Sequence, residues 1–235
     1  MPFGKIDREG MFLPFAGITI ICKVNGIVEF LISIQQALQN DPLIKQYYST
    51  VPSSSHHMTA INLYTQDAMS ETEWKSFLHE KIRFFSMLNK TLHEKAFPLN
   101  AQIVGAIMQG VIQLIVCIPS AQKEKIEAIA TKHQLAHKIP QVFHITLAYQ
   151  YKAVEEENAS AVNQRLSRII DTYCHPGIIF PLSSPALYYF QDMTAYKPLD
   201  IVSSSLDGRH LIFSCTNTES IVRQKERDVH FCALR

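Results

Sequence analysis

A surplus of charge of either sign is missing: 22 lysines and arginines stand against 21 aspartates and glutamates, a formal net charge of +1. Without a global basic field the chain is not built to coat a nucleic-acid duplex by tracking its phosphates. Any such contact is confined to a pocket or a strand end. Metal-type cysteine spacing is missing too. Cys22, Cys117, Cys174, Cys215 and Cys232 form no Cys-x-x-Cys pair, and an odd set without a framework reads as reduced thiols in a cytoplasm-like compartment. Cys22 and Cys117 sit in apolar runs and are expected in the core. Nor is there an unbroken apolar run that would span a membrane. "GITIICKVNGIVEFLISI" is interrupted by Lys23, Asn25 and Glu29, and the short "GAIMQGVIQLIVCI" carries Gln109 and Gln113. The opening "MPFGKIDREG" lacks the apolar centre of a signal peptide. A cytoplasmic protein without a membrane partner is expected, and no obligatory protein partner is evident.

What is present is enough for a sizeable core: 235 residues, 47% of them apolar, suit one large domain or two small lobes. Strand and helix patterns alternate. Gly17–Val24 is β-branched and reads as a buried strand. The apolar positions Val28, Leu31, Ile32, Ile34 and Leu38 predict a helix that ends at Asp41-Pro42. A strand follows over His57–Tyr64. Ser70 and Glu73 have capping-box spacing and open one long helix carrying Trp74, Phe77, Leu78, Ile82, Phe85, Leu88 and Leu92. Leu99–Ile118, with Gly105 and Gly110, predicts two strands or a bent hairpin. A capped helix starts near Ser120, and the strand "FHITLAY" (Phe143–Tyr149) comes next. Another helix begins at the acidic Glu155–Glu157, where its dipole favours negative charge, and stops at His175-Pro176-Gly177. "GIIFPL" and "ALYYF" are short strands. A last strand is expected at His210–Cys215 within a polar, partly irregular extension over 201–235.

The halves repeat. Each runs strand, helix, strand with a histidine on the last strand, and His57 and His144 lie 87 positions apart. Two such lobes would set equivalent strands face to face across a cleft holding both histidines. On a strand, residues i and i+2 share a face. His144, Thr146 and Ala148 would therefore line the cleft while Phe143, Ile145, Leu147 and Tyr149 pack the core, with Tyr149 reaching the cleft only if the strand twists or ends there. In the first half His57, Thr59 and Ile61 would share a face, leaving Asn62 oddly on the core side. His56 would face away from His57.

Two imidazoles and two hydroxyls converging on one pocket suit phosphodiester chemistry without a metal. One neutral histidine takes a proton from the attacking oxygen, and the other, as imidazolium, gives one to the leaving oxygen. The threonines would hold the non-bridging oxygens.

The motifs His57-Met58-Thr59-Ala60 and His144-Ile145-Thr146-Leu147 resemble the signature of the 2H phosphoesterase superfamily. "MPFGKIDREGMFLPFAGITIIC" and "SSSHHMT" further resemble an uncharacterised bacterial branch of it. The resemblance spans roughly residues 1–190. It implies an α+β fold of two pseudo-symmetric lobes, each an antiparallel sheet with outer helices around a central cleft, filling a domain over 1–200. It also implies His57 and His144 as the catalytic pair, Thr59 and Thr146 as the phosphate binders, and no metal or other cofactor. The expected function is hydrolysis of a 2′,3′-cyclic phosphate or a related diester at an RNA end or nucleotide. The alternatives are RNA 3′-end trimming or 2′,5′-linkage processing, or a nucleotide-binding module without turnover. The remaining histidines read as structural: His133 and His137 have i, i+4 spacing but lack the HExxH glutamate. His79 and His93 belong to solvated helix faces, and His175 to a helix end. Phe84, Phe85, Tyr188, Tyr189 and Phe190 read mainly as core, and "RQKER" (Arg223–Arg227) as a solvated tail.

Overall fold

The computed structural model describes residues 4–25, 28–67 and 69–199. The strand expected at His210–Cys215, the run Arg223–Arg227 and the whole 201–235 extension lie outside them. Among the described residues the elements are β1 (Gly17–Lys23), α1 (Glu29–Asn40), β2 (Tyr48–Thr50), β3 (His57–Thr65), α2 (Glu71–Glu80), α3 (Ile82–Glu94), β4 (Leu99–Gln109), β5 (Val111–Cys117), α4 (Ser120–Lys132), β6 (Phe143–Gln150), α5 (Glu156–Tyr173), β7 (Ile179–Leu182), β8 (Ala186–Phe190) and β9 (Tyr196–Pro198). No described helix is long and apolar enough to cross a membrane.

All strands join one curled antiparallel sheet in the order β7-β4-β5-β6-β3-β1-β8-β9, with β2 paired to β6. The duplication is visible in that order. Outward from the centre, β6-β5-β4 on one side answers β3-β1-β8 on the other. The lobes are thus halves of a single sheet, and the equivalent strands β3 and β6 meet edge to edge rather than face to face. Their one register pair is Met58 opposite Ile145. Backbone hydrogen bonding drives this result, because two exposed strand edges side by side satisfy each other's amides and carbonyls.

The core is built from strand residues such as Ile20, Met58, Ile61, Leu114 and Ile145, each at most 1% exposed, and from buried Leu31, Ile34 and Leu38 of α1 and Val162, Leu166 and Ile170 of α5. Each such side chain contributes roughly 1.5–3 kcal/mol on leaving water.

The Ser70–Glu73 capping box is present in both directions. The single long helix expected after it is two helices, α2 and α3, separated by Lys81 (φ −87°, ψ 1°). The bonds Lys81 N–H to Phe77 O and Phe85 N–H to Lys81 O, both 3.0 Å, persist across that break. Helix α4 starts at Ser120 as expected, but Pro119 takes the cap position and no side chain caps it. Pro119 sets an extended backbone (ψ 141°) there, so Ser120 already belongs to the first turn. Gly110, at φ +72°, makes the tight turn of the β4–β5 hairpin. Cys117 is exposed, not core: on β5 the even positions are buried and the odd ones are not.

Candidate active site

The Met58–Ile145 pair decides the geometry of both histidine motifs. Met58 lies between His57 and Thr59, and Ile145 between His144 and Thr146. Antiparallel register therefore sets Thr146 beside His57 and Thr59 beside His144. With Met58 and Ile145 both fully buried, their four flanking neighbours turn to the opposite face. All four line one cleft of about 560 Å³. The two histidines occupy a diagonal of this square, and diagonal neighbours on such a ladder stand roughly 7–8 Å apart. That span admits a phosphoryl group between the rings.

The rings are held alike. His57 donates Nδ1–H to the Ser55 carbonyl at 2.6 Å, and His144 donates Nδ1–H to the Val142 carbonyl at 3.3 Å, each two residues back. A carbonyl only accepts, so Nδ1 carries the proton and Nε2 is the atom left to exchange one with a ligand. Their surroundings differ. The Tyr196 ring lies 4.1 Å from the His57 ring, centroid to centroid. Burial drives the His57 pKa down to about 4, with His144, His56 and Lys23 pushing the same way and the Ser55 bond opposing. Burial also lowers His144, aided by Lys5 and opposed by the Val142 bond.

The strict alternation expected on these strands fails in one matching place. On β3 the register against β1 passes from Ile20–Ile61 to Ile21–Thr59, which leaves Ala60 as an extra residue. On β6 the register against β5 passes from Ile112–Ala148 to Gln113–Thr146, which leaves Leu147 extra. Each bulge falls one residue after the threonine and reverses the facing beyond it. Ile61 and Ala148, expected in the cleft, are instead buried at 1% and 0% exposure. Asn62 and Tyr149, expected on the core side, line the cleft. A second bulge at Leu63 follows on β3. The signal was present in "HMTAI" and "HITLA", where two consecutive apolar residues follow the threonine at the same offset.

Other lining residues carry no sequence signal. Gln113, opposite Thr146 on β5, donates from Nε2 to Thr146 Oγ1 at 3.3 Å. Lys138 reaches the Leu63 carbonyl at 3.3 Å beside the Tyr64 ring. Lys5, Tyr196 and Phe190 complete the relevant wall, and no carboxylate lines the cleft among the described residues. The site is complementary to an anion.

Outside the cleft, His56 is buried and not part of the lining. His133 shares a 3.0 Å hydrogen bond with Thr91 while His137 is exposed on a separate short turn, so the two share no helix face. His79, His93 and His175 are exposed, as expected. Of the aromatic set, Phe85, Tyr188 and Phe190 are buried.

Residues 5–112 match the family model described as "2H-phosphodiest: Domain of unknown function (DUF1868)". This stretch of the chain is similar to the 2H-phosphodiesterase family. The matched stretch holds the first histidine motif, and the second lies on the strand that pairs with it. A viral relative, "Uncharacterized protein 127L" of Invertebrate iridescent virus 6, is 25% identical over 233 residues, covering 86% of this chain and 96% of its own. Among solved structures, the conserved protein of unknown function ATU0111 from Agrobacterium tumefaciens str. C58 shares the fold, with a TM-score of 0.60 at 18% identity, covering 85% of this chain and 92% of its own. TT0787 of Thermus thermophilus aligns with a TM-score of 0.41 at 16% identity, over 78% of this chain and 94% of its own.

Proposed function

We propose that this protein is a 2H-type phosphodiesterase that opens a 2′,3′-cyclic phosphate, or hydrolyses a related diester at an RNA end or nucleotide, by paired-histidine acid–base catalysis. The observation that carries the reading is the single Met58–Ile145 register pair, which brings two imidazoles and two threonines from distant parts of the chain onto one face. His57, held neutral by its burial, takes a proton from water on Nε2. The water oxygen bonds to phosphorus, the bond from phosphorus to the ribose oxygen breaks, and His144 gives its Nε2 proton to that oxygen. Thr59 and Thr146 hold the non-bridging oxygens. Gln113 donates to the Thr146 hydroxyl oxygen and the Tyr149 side chain is its second neighbour, so the hydroxyl is oriented from two sides. The near-neutral chain favours a small substrate over a long polymer.

The test is hydrolysis of a panel of nucleoside 2′,3′-cyclic phosphates and short 2′,5′- and 3′,5′-linked oligonucleotides by the wild type, His57→Ala and His144→Ala. Each variant is expected to lose roughly 10²–10⁴-fold in kcat. Normal turnover in either variant sinks the mechanism. Tight nucleotide binding by the wild type, with no product at high enzyme concentration, would instead make the cleft a binding module.

A further inference from the structure

Lys5 belongs to neither half of the duplicated sheet, yet it lines the same cleft as both histidines. Its backbone is anchored. Leu13 donates to the Lys5 carbonyl at 3.0 Å, Ile6 bridges to Phe12, and Ile6 is fully buried in the cluster that contains Tyr149. The side chain runs over aromatic faces, with Nζ 5.0 Å from the Phe15 ring centroid and 5.7 Å from that of Tyr149. No ion pair among the described residues includes it. Asp67 acts on it only as a weaker counterweight to its burial, and its charge is felt at His144. A half-buried ammonium that forms no ion pair among the described residues, in a cleft whose described lining holds no carboxylate, is matched by an anionic ligand.

We infer that Lys5 is a phosphate-binding residue of this cleft, its ammonium braced on Phe15 and Tyr149 and directed at a non-bridging oxygen of the phosphoryl group that His144 and Thr146 flank. The inference rests on the phosphodiesterase reading of the site and adds to it an asymmetry. The duplication supplies two histidines and two threonines, whereas Lys5 comes from the stretch before β1 and has no counterpart in the other half. Lys5 is the lysine whose charge acts at His144, whereas at His57 it is Lys23.

Inorganic phosphate is the probe. Its binding to the full chain is measured by calorimetry, with the His144 titration followed by NMR, in the wild type, Lys5→Met and Lys5→Arg. Lys5→Met keeps an unbranched apolar stem over the two rings, so a packing role alone would survive it. Loss of one charge-assisted contact predicts phosphate binding about tenfold weaker or more in Lys5→Met. Binding within about threefold of wild type is expected in Lys5→Arg. With a positive neighbour removed, His144 should titrate at higher pH in Lys5→Met. Unchanged phosphate affinity or an unchanged His144 titration in that variant overturns the inference, as does a wild type that does not bind phosphate. A wild type that binds phosphate through Lys5 but hydrolyses no diester leaves this inference standing and removes the enzymatic reading instead.

Discussion

At the scale of single residues, two histidines with the same tether differ in what surrounds them. Both give Nδ1–H to the carbonyl two positions back, so neither can act through that nitrogen without losing its orientation. His57 alone lies under an aromatic ring, and its pKa near 4 keeps it a base across the neutral range. His144, also lowered from its ordinary value, must hold a proton to act as the acid. The profile of kcat/KM reports the free protein, so it is expected to be bell-shaped, with an ascending limb near pH 4 and a descending limb below about pH 6.5, the unperturbed histidine value. Initial rates across roughly pH 3.5–8.5 check this. An optimum above about pH 8 would contradict the assignment.

At the scale of elements, the site depends on where strands stop alternating. The bulges at Ala60 and Leu147 occupy equivalent places and turn Asn62 and Tyr149 into the cleft. One bulge by itself would be a local irregularity. Two at the same offset from their histidines make the site's third row as duplicated as the first two. Strand β1, paired on both sides, tolerates little change in this curled sheet. A Cβ at Gly17 would run into the Phe190 ring and come within 2.9 Å of the Tyr64 carbonyl, and β1 pairs with both of their strands. Gly17→Ala is therefore expected to destabilise by about 1–3 kcal/mol and to weaken phosphate binding through the displaced Phe190. The urea midpoint and the same calorimetric titration measure both. An unshifted midpoint would show that the ring gives way freely.

At the scale of the whole molecule, stability is linked to pH through a residue that stands beside the first histidine motif but does not line the cleft. His56 is buried, its Nε2 has no partner among the described residues, and burial lowers its pKa to about 4. The unfolded chain takes up this proton below about pH 6.5, whereas the folded chain refuses it until about pH 4. Stability is thus full above about pH 6.5 and declines as the pH falls between those values, by an amount on the order of 3 kcal/mol from His56. Urea unfolding at about pH 7.5 and about pH 4.5 should show this loss. His56→Leu, which removes a nitrogen lacking a partner, should reduce it. An equal loss in the variant would assign the effect elsewhere, with the buried His57 the next group to test.

The local signals of this sequence sufficed for its element types and their repeat, because hydrophobic period, a capping box and glycine turns act over a few residues. They also marked His57, Thr59, His144 and Thr146 as neighbours on strand faces, and all four line one cleft. Register lay beyond them. Whether β3 and β6 face each other or share an edge depends on which backbone groups find partners across 87 positions of chain. Helix α4 lacked its expected cap because Pro119, which has no side-chain acceptor, holds the cap position, and Cys117 lay open because hairpin parity, not local hydrophobicity, sets which side is buried. Lys5, Gln113 and Tyr196 reach the cleft from separate segments that carry no pattern of their own, so only the curled sheet and its packing could bring them together there.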